Sequence, residues 1–267
     1  MRLPRISLVS VSLAMLALSA GHSRADNFEP APSERTWIVT LGGWGVVRPD
    51  YEGSDDYELA FKPIINIRRE GSREWLSLPE DRAGFALFET HNFRIGPAAG
   101  LVWERDSSDN YALRGLDDVD FTLEAGVFVE FWPVDSFRTR VELLQGIGGH
   151  EGFVANFSAD GVWRPSERWL LTAGPRLTIV SDDYADTYFS VPLGAPLDSF
   201  DAEGGLHSAG LGASATYRLT PQVDLKFYAE YDRLLGDAAD SPIVSDRGSE
   251  DQFTLGIGAS YRFEVRR

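Results

Sequence analysis

The chain has 267 residues and no cysteine, so disulfides do not hold its fold together, and its formal net charge of −16 argues against nucleic acid as a partner. Mean hydropathy is −0.19, which looks soluble, yet seven Trp, nine Tyr and sixteen Phe are what the aromatic girdles of a membrane barrel require. For an exported chain of this size without disulfides, the remaining folds are a large core or a closed barrel that hides its apolar band by alternation.

The N-terminus reads as a secretory signal. Arg2 and Arg5 precede a short uncharged apolar run over 6–20, and Ser23-Arg-Ala25 places small residues where a signal peptidase reads, so cleavage is expected between Ala25 and Asp26. The run is too short for a good membrane-spanning helix. Asp26 follows the cut and no cysteine is available, which excludes a lipoprotein. Losing Arg2, Arg5 and Arg24 leaves 22 basic residues against 41 acidic ones, a net charge of −19. The expected organisation is a signal peptide over 1–25, a short periplasmic segment over 26–35, and one outer-membrane barrel domain over 36–267.

The mature chain reads as β throughout, because period-2 alternation recurs and helical periodicity is scarce. Over 57–68, Tyr57, Leu59, Phe61, Ile65 and Ile67 alternate with Glu58, Lys62, Asn66 and Arg68. Over 119–131, Val119, Phe121, Leu123, Ala125, Val127, Val129 and Phe131 alternate with mostly polar or small neighbours; 223–232 repeats the pattern. The last such run, 252–263, sets Phe253, Leu255, Ile257, Ala259, Tyr261 and Phe263 against Gln252, Thr254, Gly256, Gly258, Ser260 and Arg262. An oily face ending in Tyr261-x-Phe263 looks like the closing strand of an outer-membrane barrel, with Gly258, Tyr261 and Phe263 as its signal. Each run has about the 10 residues that a tilted strand needs to cross a bilayer.

Loop lengths give the strand count. In such barrels periplasmic turns are short and outer loops long. The long polar segments are 48–56, 106–118, 182–205 and 236–251; the short ones lie near 70–73, 90–92, 133–136, 165–168 and 220–222. For long and short to alternate, 74–89 holds two strands turning near 79–82, and 148–152 is a brief outer loop. The expected fold is a single all-β, antiparallel, up-and-down transmembrane barrel of twelve strands, or of ten if the segment at Trp75 belongs to a loop. Pro63, Pro97 and Pro175 fall inside predicted strands on the apolar face, so each should mark a bulge or a local break. A periplasmic β-sandwich would also alternate, but lacks strands of lipid-crossing length.

The polar faces are dense in charge of both signs, with Glu124 and Glu130 on one strand, Arg138, Arg140 and Glu142 on the next, and Arg262 on the last. Such charge in a low-dielectric wall must be paired or wetted. That allows either a salt-bridged interior or a narrow hydrated pore.

Catalysis has no constellation to rest on. The mature chain keeps His91, His150 and His207; His207 adjoins Ser208, but neighbouring strand residues face opposite sides. The acidic groups Asp55-Asp56, Asp117-Asp118-Asp120 and Asp182-Asp183 lack the ligand spacing of a dedicated cation loop, so solvated acidic loops are expected, sharing the divalent ions that bridge lipopolysaccharide. No cofactor or metal is expected.

Several segments carry a family resemblance. Pro49-Asp-Tyr-Glu-Gly-Ser54, with Tyr51, Gly53 and Ser54, resembles a first-loop motif; Tyr188-Phe-Ser-Val191 resembles a Tyr-Phe-Gly-Val element with Ser190 in place of Gly. Arg233-Leu-Leu-Gly-Asp-Ala-Ala-Asp-Ser-Pro-Ile-Val244, with Arg233, Leu234, Asp240, Ser241 and Pro242, resembles a last-loop signature, and Gly258 to Phe263 matches the closing strand. Together they resemble the MipA/OmpV family, the MltA-interacting proteins of the Gram-negative outer membrane. The resemblance implies a non-enzymatic protein in contact with outer-membrane lipid and lipopolysaccharide. It also implies a scaffold that joins a murein transglycosylase to a murein synthase. A narrow channel for small solutes and a surface adhesin are the alternatives.

Overall fold

A computed structural model describes residues 36–70, 76 and 78–266. The expected cleavage site and the N-terminal segment lie outside the described residues. Among those described, no helix is long and apolar enough to cross a membrane; the chain crosses with strands.

Twelve strands form one antiparallel sheet. In chain order they are β1 (Thr36–Pro49), β2 (Tyr57–Arg69), β3 (Ala83–Gly84), β4 (Phe88–Glu89), β5 (Phe93–Val102), β6 (Thr122–Val134), β7 (Phe137–Gly148), β8 (Phe153–Ser166), β9 (Trp169–Val180), β10 (Gly205–Arg218), β11 (Val223–Leu234) and β12 (Asp251–Arg266). Three short α-helices lie in the outer loops, α1 (Asp182–Phe189), α2 (Gly236–Asp240) and α3 (Pro242–Ser245), with a single 3-10 turn at Tyr111–Leu113. Neighbours in sequence are neighbours in the sheet, and β12 returns to pair with β1 from Thr36↔Arg266 to Val47↔Leu255, which makes the wall a nearly closed barrel. Among the described residues no ladder joins β2 to β3 or β4.

Alternation explains the wall. Odd-numbered positions such as Leu59, Phe61, Ile65, Leu211 and Ile257 are exposed outward, whereas even-numbered ones such as Trp44, Phe128, Leu144 and Tyr228 are buried inward. Because every backbone group must be satisfied in lipid, a closed ladder is the form that such strands adopt.

The wall lies between the two expected counts: ten strands have ten or more residues, and β3 and β4, both paired along β5, fill one further position among the described residues. The expected turn at 79–82 is corrected. Both short strands come later, and both pair along β5, as Ala83↔Ala99 and Phe88↔Ile95, so they are one broken strand in line. Leu76 and residues 78–82 instead lie in the lumen. Leu78 packs on Trp44, Val46, Ile64 and Tyr228, Leu76 packs on Trp132 and Val162, and the charged residues that follow reach the opposite wall. The physical reason is that Glu80, Asp81 and Arg82 find counter-charges inside, whereas a strand position would set some of them against lipid.

The three strand prolines fall where the ladder lapses. Leu87 donates to the carbonyl of Ile95, so Pro97 turns its nitrogen toward the interval between β3 and β4. Glu70 donates to Thr36, so by alternation Pro63 faces away from β1, toward the sheet edge. Ser181 donates to Phe153, so Pro175 faces β8 where the pairing skips Ala159 and Asp160.

Candidate functional site

Two regions gather the chemistry-bearing residues: the mid-lumen and the outer mouth.

In the lumen, Arg138 on β7 is fully buried and lies 2.8 Å from Asp81, 3.1 Å from Glu130 on β6 and 3.0 Å from Asp160 on β8. Arg140, two residues on, faces the same side and reaches Glu142 at 2.5 Å, Glu130 at 3.3 Å and Asp81 at 3.4 Å. Arg176 on β9 bridges Glu80 at 2.9 Å and Asp160 at 2.8 Å. Arg82 closes the set on Glu124 at 2.6 Å, while its amide donates to Glu142 at 3.1 Å. The structure thus brings Arg138, Arg140, Glu142, Glu124 and Glu130 into one lattice. Arg262 stands apart, paired with Asp224 on β11 at 2.5 Å. Sequence alternation placed the wall charges on one face, but gave no sign that Glu80, Asp81 and Arg82 would join them from a segment read as a turn.

At the outer mouth, the family-motif loops assemble into one cap. The Gly53 amide donates to the Gln252 side-chain oxygen at 3.2 Å, and its carbonyl accepts from Ser249 at 2.8 Å. Ser241 Oγ donates to the carbonyl of Phe189 at 2.6 Å, joining the last loop to the Tyr188-Phe189 element. Tyr51, Ile243 and Val191 share one apolar cluster, and Leu234, Val244, Tyr188 and Phe189 share another. Ser54 is buried and its Oγ accepts from Asp56. Pro242 opens α3 and is buried, whereas Asp240 and Arg233 are exposed, Arg233 pairing with Glu250 and with Asp251 at 2.9 Å. On the closing strand, Gly258 leaves room for the Trp44 ring, and Tyr261 and Phe263 face outward with ring centroids 4.6 Å apart.

Beneath the cap lies a clamp that no sequence pattern signalled. Glu52 accepts from His207 at 2.6 Å and from the Tyr184 hydroxyl at 2.7 Å. His207 and Ser208 are both buried, which corrects the expectation that they face opposite sides. A bulge between Leu206 and Ser208 shifts the register by one, a local change that composition does not announce. His150 is fully buried against Tyr184 and Tyr188, its ring admitted by the missing side chain of Gly146, and sits 3.6 Å from Glu124. Burial by itself would raise the Glu52 carboxyl, but the adjoining His207 and the two hydrogen bonds outweigh it and hold Glu52 below the ordinary 4.5. Burial and the same carboxylate push the Tyr184 hydroxyl well up, which keeps it a donor.

A folded-state value below the unfolded one stabilises the cap fully above about pH 4.5 and is lost as pH falls through the folded value. Pepsin cleavage of the outer loops, normalised to a peptide substrate, is therefore expected to accelerate as pH falls below about 4.5, and Glu52→Gln to flatten that dependence. An unchanged dependence in Glu52→Gln would assign the acid sensitivity elsewhere.

Charge is divided along the barrel axis. The outer loops, 48–58, 103–121, 149–152, 181–204 and 235–251, hold 23 carboxylates against four arginines. The rest of residues 26–267 carries equal numbers of each sign. A cleft of about 600 Å³ opens in this acidic surface, lined by Asp117, Asp118, Asp186 and Asp201 with Leu116, Pro192 and Phe200. No group of three metal-ligating side chains occurs among the described residues.

Comparison with solved structures returns outer-membrane barrels at low similarity. The N-terminal barrel domain of Pseudomonas aeruginosa OprF is 12% identical with a TM-score of 0.31, covering 64% of this chain and 97% of that one. The NanC porin is 9% identical with a TM-score of 0.40, covering 84% and 98%. An outer membrane channel from Pseudomonas putida F1 is 12% identical with a TM-score of 0.38, covering 91% and 100%. No curated protein matches the chain. The family model of the MltA-interacting protein MipA matches residues 41–263, which span the barrel and every loop of the cap. With that match, and with first, middle and last motif loops meeting in one cap on a twelve-stranded sheet, the chain belongs to the MipA family of non-enzymatic outer-membrane β-barrel proteins of Gram-negative bacteria.

Proposed function

We propose that the protein is a scaffold of the cell envelope, a rigid barrel that presents its periplasmic turns to murein-modifying enzymes, a transglycosylase and a synthase, while its lipid-facing side chains and acidic outer loops meet membrane lipid and lipopolysaccharide. The observation that carries this reading is family membership over nearly all of the mature chain. The geometry agrees with it. The lumen is filled by paired side chains and entered by residues 78–82, and the outer mouth is capped, so a docking role suits the resting structure better than open passage of solutes. The outer loops are strongly acidic, whereas the rest of residues 26–267 is balanced in charge and imposes no strong net field on a partner approaching from inside.

Capture on the detergent-solubilised full-length barrel tests the proposal. Murein transglycosylase and synthase should be retained above the level on an unrelated barrel. Replacing the short turns 133–136, 165–168 and 220–222 by turns from that barrel should lower retention at least tenfold without loss of the fold, read as heat-modifiable gel mobility. Retention unaffected by the turn exchange, or equal on both barrels, overturns it.

A further inference from the structure

The cleft in the outer mouth is built from two short bridged loops. In the loop after β5, Arg105 and Val119 pair as an isolated antiparallel bridge, and Asp117 and Asp118 lead into Val119. In the loop after α1, Val191 and Phe200 pair in the same way, with Asp201 beside Phe200 and Asp186 on α1 itself. The Arg105 guanidinium fastens the first loop to the second, donating to the carbonyls of Tyr188 at 2.8 Å and Thr187 at 3.4 Å. Both walls are therefore held in place before any ligand arrives, which lowers the ordering cost of binding.

The lining combines apolar surface with unanswered negative charge. Leu116, Val119 and Val191 line the cleft and are buried, and Leu193, which also lines it, is 91% exposed. Four carboxylates share the lining with one cation, Arg105, whose guanidinium is committed to backbone carbonyls. Asp118 accepts from the Ser107 amide at 2.7 Å, whereas the carboxylates of Asp117, Asp186 and Asp201 have no hydrogen-bond or ion-pair partner among the described residues. The volume of about 600 Å³ suits a small molecule, and an apolar lining with a few placed charges is the usual make-up of such sites. A hydrated metal ion would gain nothing from the apolar surface, and among the described residues no three ligating side chains converge. Carboxylates contributed by two separate loops, with apolar lining from both, match a molecule that is cationic at its ends and apolar in its middle.

We propose that this cleft is a binding site for small organic dications, their ammonium groups paired with carboxylates of the two loops and their apolar chain laid over Leu116, Val191 and Phe200. The acidic outer surface concentrates cations near the mouth, and the cleft selects among them by apolar length. Ion pairs as exposed as these contribute little each, so selectivity comes from the methylene groups that the cleft covers.

Isothermal calorimetry on the detergent-solubilised full-length barrel, at fixed ionic strength, tests the site. The eight-carbon dication 1,8-diaminooctane should bind one-to-one and about tenfold more tightly than 1,3-diaminopropane, the equivalent of burying roughly two methylene groups. Removing one carboxylate from each loop, in Asp117→Asn combined with Asp201→Asn, should weaken binding of the longer diamine about tenfold. Asp55→Asn combined with Asp240→Asn removes the same charge outside the cleft and should leave the affinity unchanged. Equal affinity for the two diamines would leave only a diffuse counter-ion surface and overturns the site. So does an undiminished affinity in the folded Asp117, Asp201 variant, or an equal loss in both paired variants. Heat-modifiable mobility checks each fold; if the Asp117, Asp201 variant does not fold, the comparison of chain lengths on the unaltered barrel decides.

Discussion

Replacing Arg138 with alanine is expected to destabilise the barrel by about 3–5 kcal/mol, read as a lower urea midpoint for loss of the fast-migrating unboiled gel form. The reason is what stays behind. Arg138 is fully buried between Asp81, Glu130 and Asp160, all within 3.1 Å, and its removal strips three carboxylates of their shared counter-ion. Partial compensation is built in, since Arg94 and Arg140 still reach Glu130 and Arg176 still reaches Asp160, which favours the lower end of that range. Arg233 supplies the contrast. It belongs to a family motif and also pairs with two carboxylates, but it is 44% exposed, so Arg233→Ala should cost no more than about 1 kcal/mol. Equal effects for the two variants would show that the lumen lattice does not act as a buried network.

Gly53→Ala is expected to open the outer cap while leaving the wall intact. Gly53 has φ of +96°, and a Cβ there would lie 2.5 Å from Val244 Cγ2. The left-handed backbone costs about 1–2 kcal/mol for an L residue, and the clash adds about 1–3 kcal/mol. The strain falls on the contact between first and last loops, where Gly53 also bonds Gln252 and Ser249. Proteolysis of folded barrels should therefore cut 236–251 much faster, with the heat-modifiable shift preserved. Gly194 separates the two causes: its φ is also +96°, but nothing lies within 4 Å of a Cβ, so Gly194→Ala should show the backbone cost alone. Equal protease sensitivity in both variants would mean that contact with Val244 contributes nothing.

Much of this was legible in the residues because lipid imposes a simple code. A strand that faces hydrocarbon on one side and a charged lumen on the other must alternate, so Leu59, Phe61 and Ile257 point outward and Glu124, Arg138 and Arg140 inward with no knowledge of their partners. The observed strands extend the sequence runs by a few residues: the run read as 223–232 is Val223–Leu234, and the one read as 252–263 is Asp251–Arg266. The run at 119–131 is shifted instead, starting at Thr122, because Val119 pairs with Arg105 in an isolated bridge of the outer loop. The prolines were legible as faults in the ladder, though not as the particular edge, interval and skipped pairs that accommodate them.

What the sequence by itself determined is the class of the molecule: which residues of the strands meet lipid, which meet the lumen, and which motifs mark the family. Those follow from neighbours one or two positions apart. The tertiary structure decided which distant groups meet. Glu52 reaches a histidine turned inward by a bulge at Leu206, and the segment at Glu80 and Asp81 abandons the wall for arginines on β7 and β9. Buried charges choose partners by three-dimensional proximity, and a bulge or an inward fold costs little compared with an unpaired ion in a low-dielectric interior, so local pattern cannot foretell either.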